Sequence, residues 1–436
     1  MNKRLMDRKI STRARVTAAP AAALAFAVPT IIKRSVSAQG QTTVRLTGWS
    51  SSPEEDKLLG QVIDAYHSAQ SQVKVDYQLV TGDYAAKLQT DIAAGTVADV
   101  FYVDSLPAQD LMSRDVLLPL DDKMAASGVK ASDFYPGLIK AFQFQGATYG
   151  LPKDWSSLAM VYDQDALSAA GVSTPPANWD DLKAAAQALK DKGGDPRLMM
   201  DATFDRYLAF HYAAGGKVIS DDGTEVEIDT PEAKTALDFY YGLYKDGLST
   251  THADAGAEWP GDGLAKDLAD LVFEGNWVFP FLKANAPDLK FGISPMPKGP
   301  AGNATLAFTV SYSIFGQTKV ADAAWDLVNY LTGPDGMAKW TSLGLAMPSR
   351  PALAEAWLQQ YPERKPFLDE GDYAHGWGFG PGGQQFNNDA KGVLENLFAG
   401  KEDVPQALKD MQAAGEKDLH PTGGGATPAV GTPASG

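Results

Sequence analysis

The chain contains no cysteine. That one absence excludes disulfide frameworks, thiolate zinc sites, iron–sulfur ligation, a cysteine nucleophile and a lipid-modified cysteine anchor. Histidine is scarce: His67, His211, His252, His375 and His420 never fall within four residues of one another, which argues against a histidine-rich metal site. Positive charge is short as well. The 38 Lys and Arg stand against 54 Asp and Glu, a net charge of −16, so the basic footprint of a nucleic-acid binder is missing. No G-x-S-x-G elbow, H-E-x-x-H pair or P-loop occurs, which removes the most recognisable hydrolase and nucleotide-binding signatures. Asp121-Asp122 and Asp221-Asp222-Gly223 lack the alternating oxygens and closing glutamate of an EF-hand loop and read as turns or solvated acidic patches. Neither a metal nor a cofactor is expected.

Long hydrophobic runs are absent too. The apolar stretch Pro20 to Ile32 has about 13 residues, where a membrane span needs ~20. It follows Lys3, Arg4, Arg8, Lys9, Arg13 and Arg15 and precedes the small residues Val36-Ser37-Ala38. This order reads as an export signal over residues 1–38; an amphipathic surface helix is the alternative, and Arg13-Ala14-Arg15, short of a twin-arginine pair, leaves the export route open. Removing the signal takes the net charge to about −23. At the other end, residues 421–436 are built from Pro, Thr, Gly, Ala, Val and Ser without charge, a composition that reads as a flexible tail. The mature chain between them is expected to act outside the cytoplasm.

What is there is about 380 residues of globular composition, enough for two or three domains. Val44 and Leu46 alternate on a strand ending at Gly48-Trp49. Ser52-Pro53-Glu54-Glu55 then gives a capping box with proline in the first turn, and Leu59, Val62, Ile63 and Tyr66 follow at helical spacing. Val73 to Leu79 has strict period two, a helix carries Tyr84, Leu88 and Ile92 to a stop at Gly95, and a short apolar strand runs from Val100 to Val103 into Asp104-Ser105. Strand, helix, strand, helix, strand within about 60 residues predicts a parallel α/β sheet, in which ligands sit beyond the carboxyl ends of strands.

Further on, Gly146 to Pro152 reads as a turn-rich lead into Lys153-Asp154-Trp155-Ser156 and a strand over Leu158 to Tyr162. Helices are expected over Trp179 to Lys190 (capped by Asn178), Phe204 to Ala214, and after Thr230-Pro231 with Leu237, Tyr240, Tyr241 and Tyr244 on its apolar face. Ser220 to Gly223 reads as a hairpin turn. Trp325, Trp340 and Trp357 lie on amphipathic stretches and read as core. Trp49, Trp155, Trp277 and Trp377 sit instead beside Gly, Asn, Asp or Ser, where a ring face is open to a ligand. Sugar C–H faces pack on such rings while their hydroxyls need neighbouring Asp, Asn, Ser or Lys.

The chain resembles the extracellular solute-binding proteins of bacterial ABC importers, in particular the carbohydrate-binding group related to maltose-binding protein. The marks are Val44 to Trp49; Asp83-Tyr84 with Leu88-Gln89-Thr90; Gly95 to Phe101; Gly146 to Pro152 ahead of Leu158 to Tyr162; Gly215-Gly216-Lys217-Val218-Ile219; Glu274-Gly275-Asn276-Trp277; and Ala346-Met347-Pro348-Ser349-Arg350. They run in order from about Thr42 to Leu419. The resemblance implies an α/β, two-lobed periplasmic-binding-protein fold with a hinge and an interlobe ligand cleft. By similarity, residues 41–154 and 304–352 would form the N-terminal lobe, and residues 155–303 and 353–420 the C-terminal lobe. Trp277 looks like the family's stacking tryptophan. Trp49, Asp104, Asp154 and Trp155 resemble other contact positions, as do Tyr312, Arg350 and Trp377; His375 and Phe379 stay outside the set. Many relatives are held by a lipidated cysteine, which this chain lacks, so it looks free in a periplasm or envelope space.

The function expected is therefore capture of a mono- or oligosaccharide and its delivery to the transmembrane subunits of an ABC permease by a non-enzymatic protein for which a single chain, a monomer, suffices. Two alternatives stand beside it: the same fold binding a non-sugar polar solute such as glycerol phosphate or a polyamine, and a secreted glycoside hydrolase.

Overall fold

In the computed structural model, residues 40–49, 52–221 and 224–419 are described. The expected export signal, the expected tail and residues 222–223 of the expected hairpin lie outside them. The strands are β1 (Thr42–Trp49), β2 (Val73–Val80), β3 (Val100–Asp104), β4 (Gln143–Phe144), β5 (Ala147–Thr148), β6 (Gly150–Ser157), β7 (Ala159–Asp163), β8 (Leu198–Met199), β9 (Ser249–Thr250), β10 (Leu271–Glu274), β11 (Phe291–Ser294), β12 (Thr305–Ile314) and β13 (Ala374–Gly376).

They form two larger sheets and a small β4–β5 hairpin. The first sheet has the order β13-β12-β3-β1-β2, with β6 also paired to β12; the second has the order β11-β7-β10-β8-β9. β1 lies parallel to both β2 and β3, as crossover helices between successive strands require. The helix Pro53–Ala69 makes the first crossover. Ser52 caps it by accepting from the Glu55 N–H at 3.2 Å, and Leu58, Leu59, Val62, Ile63 and Tyr66 are buried. Gly95 closes the helix Tyr84–Ala94 in the left-handed conformation.

Period two decides which face each strand residue covers. Val100 and Tyr102 join Val44, Leu46 and Ile63 in one apolar cluster, while Phe101 and Val103 join Val97 and Leu111 in another on the opposite face. The second sheet repeats this arrangement: Leu158, Met160 and Phe273 pack on one side, and Ala159, Val161 and Val272 on the other. Strands buried on both faces read as continuous apolar runs, which is why Val100 to Val103 shows no alternation.

The stretch before Leu158 departs from expectation. Gly150–Ser157 is not a turn leading into a strand but an eight-residue strand, buried throughout. Its polar Lys-Asp-Trp-Ser-Ser sequence hides that state, because the pairing that stabilises it is antiparallel to β12, from Ala307–Ser157 to Ser313–Gly150, about 150 residues away in the chain. The Leu158 N–H then donates to Leu306 C=O at 3.0 Å and the chain enters β7 of the second sheet. β6 and β12 thus carry the chain between the lobes. A third crossing, residues 341–350, runs beside β6: Trp155 and Met347 exchange backbone bonds of 3.2 and 3.3 Å.

Candidate functional site

The middle of β12 is where the pieces meet. Val310 is in register with Asp104 at the end of β3 and with Asp154 in β6, and Tyr312 is in register with Tyr102. Opposed residues share a face, so Tyr102, Asp104, Asp154, Val310, Tyr312 and, two residues back, Phe308 point the same way. Between Val310 and Ser311 the register shifts and leaves Lys153 without a partner on β12. A bulge of this kind re-aims a side chain: Lys153 and Asp154, neighbours that a regular strand would point apart, instead form an ion pair.

Around this row stand two aromatic groups. In the first lobe Trp49 meets Tyr84 and Tyr102 edge-on at 5.3 and 5.2 Å, and Tyr102 meets Tyr312 at 5.3 Å. The Lys153 ammonium lies 5.0 Å from the Tyr102 ring and 4.2 Å from the Trp340 ring, while the Trp340 indole N–H donates to Asp154 Oδ2 at 2.7 Å. Trp49, Glu55, Tyr77, Tyr102, Lys153 and Trp340 border one narrow cavity. On the second-lobe side Phe308 touches Trp277 at 5.5 Å and Trp377 at 5.7 Å.

Trp277 is held by its own sequence neighbours. Its indole N–H donates to Glu274 Oε2 at 2.8 Å, and a Cβ at Gly275 would overlap the ring, so only glycine lets the indole fold back over this turn. Glu274 is 0% exposed and accepts twice from Arg206 Nη2, both at 3.0 Å, while Arg206 also pairs with Asp205 and donates from Nε to Phe273 C=O. Burial pushes the Glu274 carboxyl up and Arg206 opposes it.

Asp104 caps the helix Ser105–Ser113, accepting from the Leu106 N–H at 3.1 Å. Burial raises its carboxyl to about 6, against the pull of the Leu106 and Ser105 hydrogen bonds and with a smaller push from Asp154. The ordinary value is 3.8. The group therefore favours the folded state fully below that pH, and the contribution is lost as pH rises through about 6. Against Asp104→Asn, which keeps the cap acceptor, the wild type should be relatively more stable at pH 4 than at pH 7. Melting temperatures of the two proteins that keep a constant difference across that range would refute the assignment. Nearby, burial brings His375 down to about 4 as it stacks on Tyr212 at 3.9 Å, so it stays neutral at physiological pH.

Six of the eight residues picked from sequence, Trp49, Asp104, Asp154, Trp277, Tyr312 and Trp377, thus lie on or beside one face. Two do not. Trp155 is 2% exposed, packs on Tyr135 at 5.5 Å and donates to Pro348 C=O at 3.1 Å. Arg350 donates to Thr332 C=O at 2.6 Å, lies over Phe134 and faces Asp133 at 3.5 Å, beside a separate open cavity of about 360 Å3 in the first lobe. Sequence reasoning missed Tyr102, Lys153, Phe308, Arg206 and Glu274, and placed Trp340 in the core alone. Trp340 is indeed buried, yet its polar edge serves Asp154. Among the described residues no group of three or more His, Asp or Glu is placed to hold a metal ion, and no helix is long and apolar enough to cross a membrane.

Residues 61–366 match the family described as bacterial extracellular solute-binding protein. The chain belongs to that family. This solute-binding protein is 27% identical over 394 residues to a Brucella abortus (strain 2308) protein named as a binding protein, covering 86% of this chain and 93% of that one. Its fold matches an ABC substrate-binding protein from Listeria monocytogenes in complex with cycloalternan, with TM-score 0.79 and 21% identity over 86% of this chain and 98% of that one. It also matches UgpB from Mycobacterium tuberculosis in complex with glycerophosphocholine, with TM-score 0.76 and 19% identity over 87% and 99%. The two-lobed α/β fold is that of these proteins, and membership of an extracellular family makes this an exported protein.

Proposed function

We propose that this solute-binding protein is the substrate-binding component of an ABC sugar importer, taking up a mono- or oligosaccharide between its lobes and presenting it to the permease's transmembrane subunits. The observation that carries this reading is the single face of β12, which joins the aromatic group at Trp49, Tyr102 and Trp340 to the one at Trp277, Phe308 and Trp377 with Asp104 and Asp154 between them. Flat rings receive sugar C–H faces, and carboxylates accept hydroxyl protons. The lobes are assigned to residues 41–154 with 304–352 and residues 155–303 with 353–420. Closure needs only a ligand that binds the closed state better than the open one, with no bond made or broken, and a monomer free in the envelope space accounts for the task.

A second reading has one observation in its favour: a neighbour of similar fold holds glycerophosphocholine. Melting temperature and tryptophan fluorescence of residues 39–436 against maltotriose, other mono- and oligosaccharides, glycerophosphocholine and spermidine separate the two. Ligand at 100 times its Kd stabilises by about 2.7 kcal/mol. Stabilisation by a sugar that is recovered intact supports the first reading. Stabilisation by glycerophosphocholine or spermidine alone replaces it with the second, and release of reducing ends overturns both in favour of a hydrolase.

A further inference from the structure

The aromatic face explains where a ligand rests, but one fully buried polar side chain beside it is unaccounted for. Asn276 precedes Trp277 in the chain and is 0% exposed. Its backbone N–H donates to the Ser156 hydroxyl at 2.7 Å, its Nδ2 donates to Gly344 C=O at 3.0 Å, and its Oδ1 accepts from Arg364 Nη1 at 2.8 Å. Ser156 lies on β6, the first crossing between the lobes. Gly344 lies on the third, whose ends belong to different cores: Trp340 packs in the cluster of Val44 and Val100 of the first sheet, and Trp357 in the cluster that holds Val161 and Val272 of the second.

The third crossing is shaped for this contact. Gly344 has a φ of +67°, and a Cβ there would meet the Tyr361 ring at 2.8 Å. Tyr361 and Trp357 in turn bond the Ser342 and Thr341 carbonyls. Arg364 stacks over Phe279 at 3.1 Å, in the first turn of the helix Val278–Asn285 that Trp277 begins. The segment Glu274-Gly275-Asn276-Trp277 thereby divides its work. Glu274 fixes the indole, Gly275 makes room for it, and Asn276 fastens the same turn to two of the chain's three crossings.

We propose that Asn276 is a positioning residue that couples Trp277 to the crossings, so that the position of the stacking ring and the angle between the lobes change together. The coupling to ligand rests on the reading of Trp277 as a ligand contact; the clamp on the crossings does not. An amide is the side chain suited to this place, since it must donate to a carbonyl and accept from a guanidinium at once. Aspartate keeps the acceptor and loses the donor, and alanine loses both.

Because the protein has no cysteine, spin labels at Gln61→Cys and Thr235→Cys, exposed positions on the helices Pro53–Ala69 and Pro231–Lys245, report the interlobe distance by double electron–electron resonance. In the ligand-free protein, Asn276→Asp and Asn276→Ala should broaden or shift the distance distribution. Val73→Ala, which loosens the first core on the edge strand β2, three strands away from β12, should not. If Asn276→Ala does not fold, the aspartate variant decides. For any sugar that the wild type binds, maltotriose being the first probe, Asn276→Asp should raise Kd at least fivefold, and Trp277→Ala should cost fewer fold in that background than alone. Unchanged distance distributions in the Asn276 variants overturn the clamp. Fully additive losses overturn the coupling. A wild type that binds no sugar overturns the proposed function and leaves the ligand-free measurement to decide the clamp.

Discussion

Trp277→Ala should weaken sugar binding by about 1.5–3 kcal/mol, roughly 10- to 150-fold in Kd, and leave the melting temperature of the ligand-free protein nearly unchanged. The ring is half-buried, touching Phe308 at 5.5 Å, so a ligand gains its remaining face; the fold loses a rim contact and the indole bond to Glu274, whose two oxygens keep their bonds from Arg206. Isothermal titration of the two proteins with the sugar that stabilises the wild type measures the difference. An unchanged Kd would remove Trp277 from the site.

The larger effect on stability is expected one step behind that ring. Arg206→Met should destabilise the ligand-free protein by about 3–5 kcal/mol, because it leaves Glu274 buried beside Asp205 without its cation. Glu274 already sits above the ordinary carboxyl range, and losing Arg206 moves it further up. The deficit should therefore be greatest near pH 8 and shrink as pH falls, since a raised carboxyl pKa favours the folded state on the acid side. Arg206→Met combined with Glu274→Gln should recover much of the loss, an amide being far less costly to bury than an unpaired carboxylate. Denaturant melts of both variants at pH 5.5 and 8 test this. A pH-independent deficit, or a double variant no more stable than Arg206→Met, would show that the pair does not hold the turn beneath Trp277.

These two side chains also show what the sequence disclosed. The opening strands and helices were legible because their determinants are local: Ser52 and Pro53 start a helix, Gly95 ends one, and period two marks Val73 to Leu79. The Glu-Gly-Asn-Trp motif marks Trp277 in the sequence, but nothing there marks what supports it. Arg206 lies 68 residues before Glu274, and nothing in either local pattern predicts that they meet. β6 was misread for the same reason, its pairing being with a strand about 150 residues away. Lys153 reaches the site through a bulge that depends on that pairing. Trp155 and Trp340 show the limit of judging a ring by its flanking residues. The first has polar neighbours yet faces Tyr135 in the interior, and the second follows a helical stripe yet turns its N–H to Asp154.

The central claim is that one face of β12 gathers the rings that receive the solute, and nine tryptophans make it directly testable. Fluorine NMR of protein labelled with 5-fluorotryptophan, titrated with the stabilising sugar, should move the resonances of Trp49, Trp277, Trp340 and Trp377 and leave those of Trp155, Trp179, Trp259, Trp325 and Trp357 in place. Shifts centred on Trp155 or on the second group, with Trp277 and Trp49 unmoved, would contradict the account.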